Sequence, residues 1–200
     1  MCASAHAHPP VPNQNSDNGV GYCAREVRDI MAAVPSPVGH ILGGVAAGLL
    51  AAPASDRRTL AICALAGAIA DVDLFLPVPH RGPLHSLAAA IVVGILALVV
   101  MRRSRSPHNP SRVALGVGAA YASHVLLDWM GADSSTPRGL MALWPATSDY
   151  FISDVTIFRA ISRRYWLANF WRDNTIAVLQ ELAILGPAVA LIAWRQRSRR

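Results

Sequence analysis

The chain has 200 residues, of which 53% are hydrophobic and only 15% charged, whereas a water-soluble domain carries about 25% charged residues. Its net charge of +6 is all arginine, since the sequence contains no lysine. The arginines gather at the ends of apolar runs instead of along one solvated face with interleaved aromatics, which disfavours nucleic-acid binding and points to a multi-pass membrane chain.

Residues 1–34 are rich in Pro, Asn, Ser and Ala and lack the basic start and apolar stretch of a signal peptide, so a disordered tail is expected there. Its His6 and His8 read as incidental. Cys2, Cys23 and Cys63 have neither metal-ligand spacing nor an even disulfide framework, and Cys63 reads as a small packing residue. Residues 35–200 form the expected folded unit. A first apolar run covers about Val38 to Ala54, with Gly43, Gly44, Ala47 and Gly48 permitting close helix approach. A second covers Thr59 to Leu76, interrupted by Asp71 and Asp73 and stopped by Pro77 and Pro79. A third runs from Leu84 to Met101 and closes on Arg102, Arg103 and Arg105. A fourth, Val113 to Met130, carries Ser123, His124 and Asp128. After a polar, aromatic-rich stretch from Gly131 to Asn174, a fifth spans Thr175 to Trp194 and contains Glu181. Several runs fall short of the ~20 residues a full span needs, so tilting or mutual shielding is required. The expected fold is all-α, a polytopic membrane bundle of four to five membrane helices.

If the five runs alternate in direction, His40, Asp71, Asp73, His80, His85, His124, Asp128 and Glu181 all fall on one side of the membrane. Ionisable groups at a membrane are costly, and such convergence points to a shared site. Arg57, Arg58, Arg102, Arg103, Arg105, Arg112 and the C-terminal arginines fall on the other side, which the positive-inside rule makes cytoplasmic. The site is then expected on the outer, periplasmic face, although Arg138, Arg159, Arg163, Arg164 and Arg172 in the long loop pull against that orientation.

The residue types suggest metal chemistry. His124 and Asp128, four apart on a helix, project from one face and can serve one ion or two adjacent ones; the bland reading is a core histidine beside a capping aspartate. Asp71 and Asp73, two apart, point in nearly opposite directions on a regular helix, so both can serve one site only if the backbone unwinds before Pro77. His80 and His85 flank Arg81-Gly82-Pro83, with Pro83 expected as the first residue of the third helix and His85 in its first turn. Arg81 is the candidate for holding a substrate anion, against a headgroup-level arginine. Ser86 reads as a hydrogen-bonding support and His108 as a loop residue on the far side. Glu181, within an apolar run, must be paired, protonated or metal-bound. Histidine and carboxylate ligands without thiols suit zinc, manganese or iron.

Pro35-Ser36-Pro37-Val38-Gly39-His40, Asp71-Val72-Asp73, His80-Arg81-Gly82-x-x-His85-Ser86 and Ser123-His124-x-x-x-Asp128 resemble, in order and spacing, the YdjM-like family of inner-membrane metal-dependent hydrolases, whose members also carry a LexA-binding label. Leu143-Trp144-Pro145 is similar to that family's Leu-Trp-Pro segment, and the context of Glu181 to a pattern in its last helix. A more distant likeness is to zinc-dependent phospholipase C, but no histidine follows His124, which argues for one or two ions instead of three. The resemblance implies an enzyme of the inner membrane that hydrolyses a phosphoester or lipid-like substrate. His40, Asp71, Asp73, His80, His85, His124 and Asp128 are the expected ligands, with Asp73, His85 and Glu181 as catalytic groups. The alternative is a non-enzymatic membrane protein that carries or senses a metal ion or a proton through the same cluster. A bis-histidine haem carrier is disfavoured by the many carboxylates, and the bland reading is a bundle whose polar groups merely pair with one another.

Overall fold

A computed structural model describes residues 35–51, 56–104, 108–133, 136–162 and 164–198; the expected disordered tail lies outside them. The described chain is helical: α1 (Pro37–Ala51), α2 (Arg57–Ala68), α3 (Leu87–Arg103), α4 (Pro110–Trp129) and α5 (Phe170–Arg197), with 3-10 segments at Ile69–Phe75 and Pro83–His85 between α2 and α3. Among the described residues the β-type pairing consists of single bridges, Gly131 with Phe158 and Leu140 with Phe151. All five apolar runs are helices, and their starts are set by local chemistry. The Asp56 carboxylate accepts the Thr59 N–H at 2.8 Å, Ser86 Oγ accepts Ala89 N–H at 3.1 Å, and Asn109 accepts Ser111 N–H at 3.0 Å with Pro110 as first helical residue.

The helices pack as α1 against α2, α4 and α5, and α4 against α1, α2 and α3, so α1 and α4 form the middle of the bundle. Its core is built from small side chains: Cys63, Ala66, Val113, Val117 and Ala120 in one cluster, Ala70, Ala90 and Tyr121 in another. Without large side chains to interdigitate, helix axes come close. A Cβ at Gly44 would lie 2.5 Å from the Cys63 carbonyl oxygen, and one at Gly67 would overlap the His40 carbonyl. Only glycine fits at this crossing, which brings α2's last turn against α1's first.

One described helix, Phe170–Arg197, is long and apolar enough to cross a membrane; α1 is apolar but shorter. Antiparallel packing divides the bundle into two ends. At one, His108 contacts Asp56 at 3.0 Å, joining the starts of α2 and α4, and Gln196 donates to the Leu49 carbonyl, joining the ends of α5 and α1. Arg57, Arg102, Arg112 and Arg195 belong to this end by their positions in the helices. The other end carries the polar cluster. The long segment after α4 folds back over it: Met141 N–H bonds the Arg81 carbonyl at 3.0 Å, and Leu87 N–H bonds that of Ala142 at 3.0 Å.

Candidate metal centre

Asp71 and Asp73 meet the same histidine because the helix changes pitch. At Ile69 the α-helix gives way to a 3-10 turn through Phe75. Residues two apart are separated by about 160° around an α-helix but by only about 120° around a 3-10 helix. Asp71 Oδ1 thus comes to 3.6 Å from His85 Nε2, while Asp73 Oδ2 lies 3.1 Å from His85 Nδ1. The helix breaks there as the sequence required, but by tightening into a 3-10 turn instead of by the expected unwinding. Pro83 opens not the third helix but a separate turn, Pro83–His85, and Ser86 then caps α3. His85 therefore sits in a one-turn segment ahead of the helix, where its ring turns inward and is fully buried. The expected placement of His85 within the first turn of the helix is corrected accordingly.

His124 and Asp128 come from one face of α4, both fully buried. His124 Nδ1–H donates to the Gly67 carbonyl at 2.8 Å, which leaves Nε2 as the free lone pair directed at the carboxylates. His124 Nε2 lies 3.4 Å from Asp128 Oδ2 and 3.6 Å from Asp71 Oδ1; His85 Nε2 lies 3.3 Å from Asp128 Oδ2. The ligand atoms of Asp71, His85, His124 and Asp128 all fall within 4.8 Å of one another. His40 stacks on His124 with ring centroids 3.8 Å apart and approaches the second oxygen of Asp128 at 3.3 Å. It is not one of this group of four.

Native interiors pair more than nine in ten buried polar groups. Here eight buried side-chain atoms have no hydrogen-bond partner: both nitrogens of His40 and of His85, His124 Nε2, Asp71 Oδ1 and both oxygens of Asp128. Their spacing fits a metal. Ligands about 2.0–2.1 Å from a tetrahedral ion stand about 3.3–3.4 Å from each other, and the nitrogen–oxygen distances within the group are 3.3–3.6 Å. The atoms are too far apart, and wrongly oriented, for good mutual hydrogen bonds, yet suitably placed around a common cation. A second potential group, Asp71, Asp73, His80 and His85, shares two members with the first. Its outer residues are already engaged: His80 Nδ1 is 2.7 Å from Asp73 Oδ1, and Asp73 Oδ2 accepts the Arg81 N–H at 3.2 Å. His80, a quarter exposed, is the most accessible histidine of the cluster.

Two expected site residues have different surroundings. Arg81 is buried and its guanidinium pairs with Asp133, whose carboxylate also accepts Gly139 N–H at 2.6 Å. Its φ of 61° is the left-handed conformation that forces the sharp turn between His80 and His85. The structure thus gives Arg81 a role in fixing the loop where an anion-binding side chain was expected. Glu181 is fully buried on α5, with one oxygen 2.5 Å from Ser36 N and the other bonded to Ser36 Oγ. It closes the N-terminus of α1 beside His40, and it belongs to neither group of potential ligands. Gly39 makes room for it, since a Cβ there would lie 2.8 Å from the carboxylate. Asp133 was missed in the sequence, and Ser36 was noted there only as part of the motif before His40. The contact of Ser36 is 145 residues away in the chain, and Asp133 lies in a loop without periodicity.

Together the fold and the site define a helical bundle with a buried histidine–aspartate centre at one end. The family model of the YdjM inner membrane protein matches residues 36–199, and the chain belongs to that family. No curated protein and no solved structure matches it.

Proposed function

We propose that the protein is a multi-pass membrane enzyme that hydrolyses a phosphoester or lipid-like substrate with one or two divalent ions, zinc ahead of manganese or iron. The observation that carries this reading is the convergence of unsatisfied buried ligand atoms on a common point. Asp71, His85, His124 and Asp128 would hold the ion; two imidazoles and two carboxylates suit these metals. When bound, such an ion polarises a phosphoryl or carbonyl oxygen and brings the pKa of water near neutrality. Gly67 orients His124 through its Nδ1–H, while Asp73 stands 3.1 Å from His85 Nδ1 and His40 3.3 Å from the second oxygen of Asp128. Asp73 and His85 would be the proton-handling groups; Glu181 would act at a distance by fixing the helix that carries His40.

The membrane reading is supported by the outward faces of the helices. Ile91, Ile95, Leu96 and Val100 of α3 and Leu179 and Leu182 of α5 are exposed, an apolar surface that water would penalise. With the arginine-bearing end cytoplasmic, the site opens on the periplasmic side.

The test is metal analysis of the full chain purified in detergent. Wild type retains stoichiometric metal, His124→Ala and Asp128→Ala lose it, and a chelator abolishes turnover of a phospholipid or chromogenic phosphodiester. Wild type reconstituted with zinc, manganese or iron that binds none of them overturns the proposal; metal binding without chelator-sensitive turnover leaves the carrier reading in its place.

A further inference from the structure

At the same end of the bundle as the centre, an apolar groove of about 290 Å³ lies between α3, α4 and the returning segment. Leu87 forms one wall, Leu126 and Trp129 the next, Leu143 and Phe151 the third, and the small side chains of Ala122 and Ala142 leave the space open. We infer that this groove holds the hydrocarbon chain of an amphiphile whose polar end lies at the histidine–aspartate centre. The inference rests on the hydrolase reading for the fate of the polar end, and on the groove alone for the chain.

Three observations select that occupant. Every side chain lining the groove is apolar, so a sugar, headgroup or peptide backbone would be buried there without partners. Its volume lies at the small end of ligand sites, about 300–1,000 Å³. The groove is also continuous with the site scaffold. Leu87 follows His85 by two residues, Trp129 follows Asp128 directly, and the Leu87–Ala142 and Met141–Arg81 hydrogen bonds tie the third wall to the histidine-bearing loop. Leu87, Leu126, Trp129 and Leu143 are all exposed; in a member of an inner membrane family such an opening faces hydrocarbon, the medium from which an acyl chain enters.

Burial of a methylene contributes about 0.8 kcal/mol, close to fourfold in affinity. The test titrates the full chain in nonionic detergent with hexyl-, decyl- and tetradecylphosphonate, read by native mass spectrometry. Wild type should gain up to about fourfold per added methylene until the groove is full. Ala142→Phe and Ala122→Phe, which fill it from opposite walls, should lose that dependence while melting as wild type and keeping their metal. A variant that fails to melt cooperatively is set aside in favour of the other, and the wild-type series stands without either. Chain-length dependence that persists in His124→Ala after the metal is lost supports the groove even where the hydrolase reading fails. Affinity independent of chain length in wild type, an undiminished dependence in both filled variants, or a change of oligomeric state in them without loss of binding overturns it, the last result assigning the groove to a second copy.

Discussion

Removing the Glu181 carboxylate should loosen the bundle without emptying the metal centre. In Glu181→Ala the Ser36 N–H and O–H lose their acceptors inside a fully buried space. An orphaned buried donor costs about 1–3 kcal/mol, and the hydroxyl can rotate to another acceptor where the amide cannot. The expected loss is therefore about 2–4 kcal/mol. For a chain of this size that lowers the melting temperature by roughly 4–16 °C. Glu181→Gln keeps one acceptor and the volume, and should recover at least half of the loss. The assay is thermal unfolding in detergent alongside metal content at saturating and limiting metal. The alanine variant should bind the same number of ions as wild type at saturation and fewer at limiting concentration, because His40 is less firmly held. Loss of an ion at saturation would show that Glu181 is a ligand, and an unchanged melting temperature would show that the Ser36 contact contributes nothing; either refutes the reasoning.

Gly67→Ala places a methyl group against the His40 carbonyl and the Gly44 backbone, and should destabilise by about 1–3 kcal/mol, whereas Gly186→Ala, with open space around it, should be neutral or slightly stabilising in the same melting assay. Arg81→Ala breaks a buried ion pair and should cost about 3–5 kcal/mol, with metal retained at saturation; loss of the metal would make the arginine part of the centre itself. Hydrogen bonding to Thr59 holds the Asp56 carboxyl down at about 2, from an ordinary 3.8. A depressed carboxyl stabilises above the unfolded value and loses that contribution as pH falls toward 2. The melting difference between wild type and Asp56→Ala should therefore be constant above about pH 5 and shrink progressively toward about pH 1, and a difference unchanged across that window would remove the cap as its cause.

Hydropathy located the helices but not every end: α2 stops at Ala68 where the apolar run goes on to Leu76, and α5 starts at Phe170, five residues before its run. The shared site was legible through alternation: His40, Asp71, His85, His124 and Asp128 come from four different segments yet fall at one end of the bundle. The spacing of Asp71 and Asp73 even demanded a break in the helix, and the 3-10 turn supplies it. Geometry within the site was not legible. Sequence distance says nothing of which oxygen faces which nitrogen, so neither the stacking of His40 on His124 nor the contact of Glu181 with Ser36 could be read from it. Arg81 looked free to meet an anion because Asp133, its partner, lies 52 residues on in an irregular segment.

The bond between Ser36 and Glu181 also sets an order of events. Chains leave the ribosome N-terminus first, and 145 residues separate these two partners. The first described helix therefore waits, with its leading end unsealed and His40 unanchored, until the last helix has been made and inserted. Two 3-10 segments and α4 supply the four grouped ligand atoms, but α5 completes the arrangement around them. The centre can reach its finished form only after Glu181, 145 residues beyond Ser36, has been made, which keeps shorter nascent chains from presenting a fully assembled site.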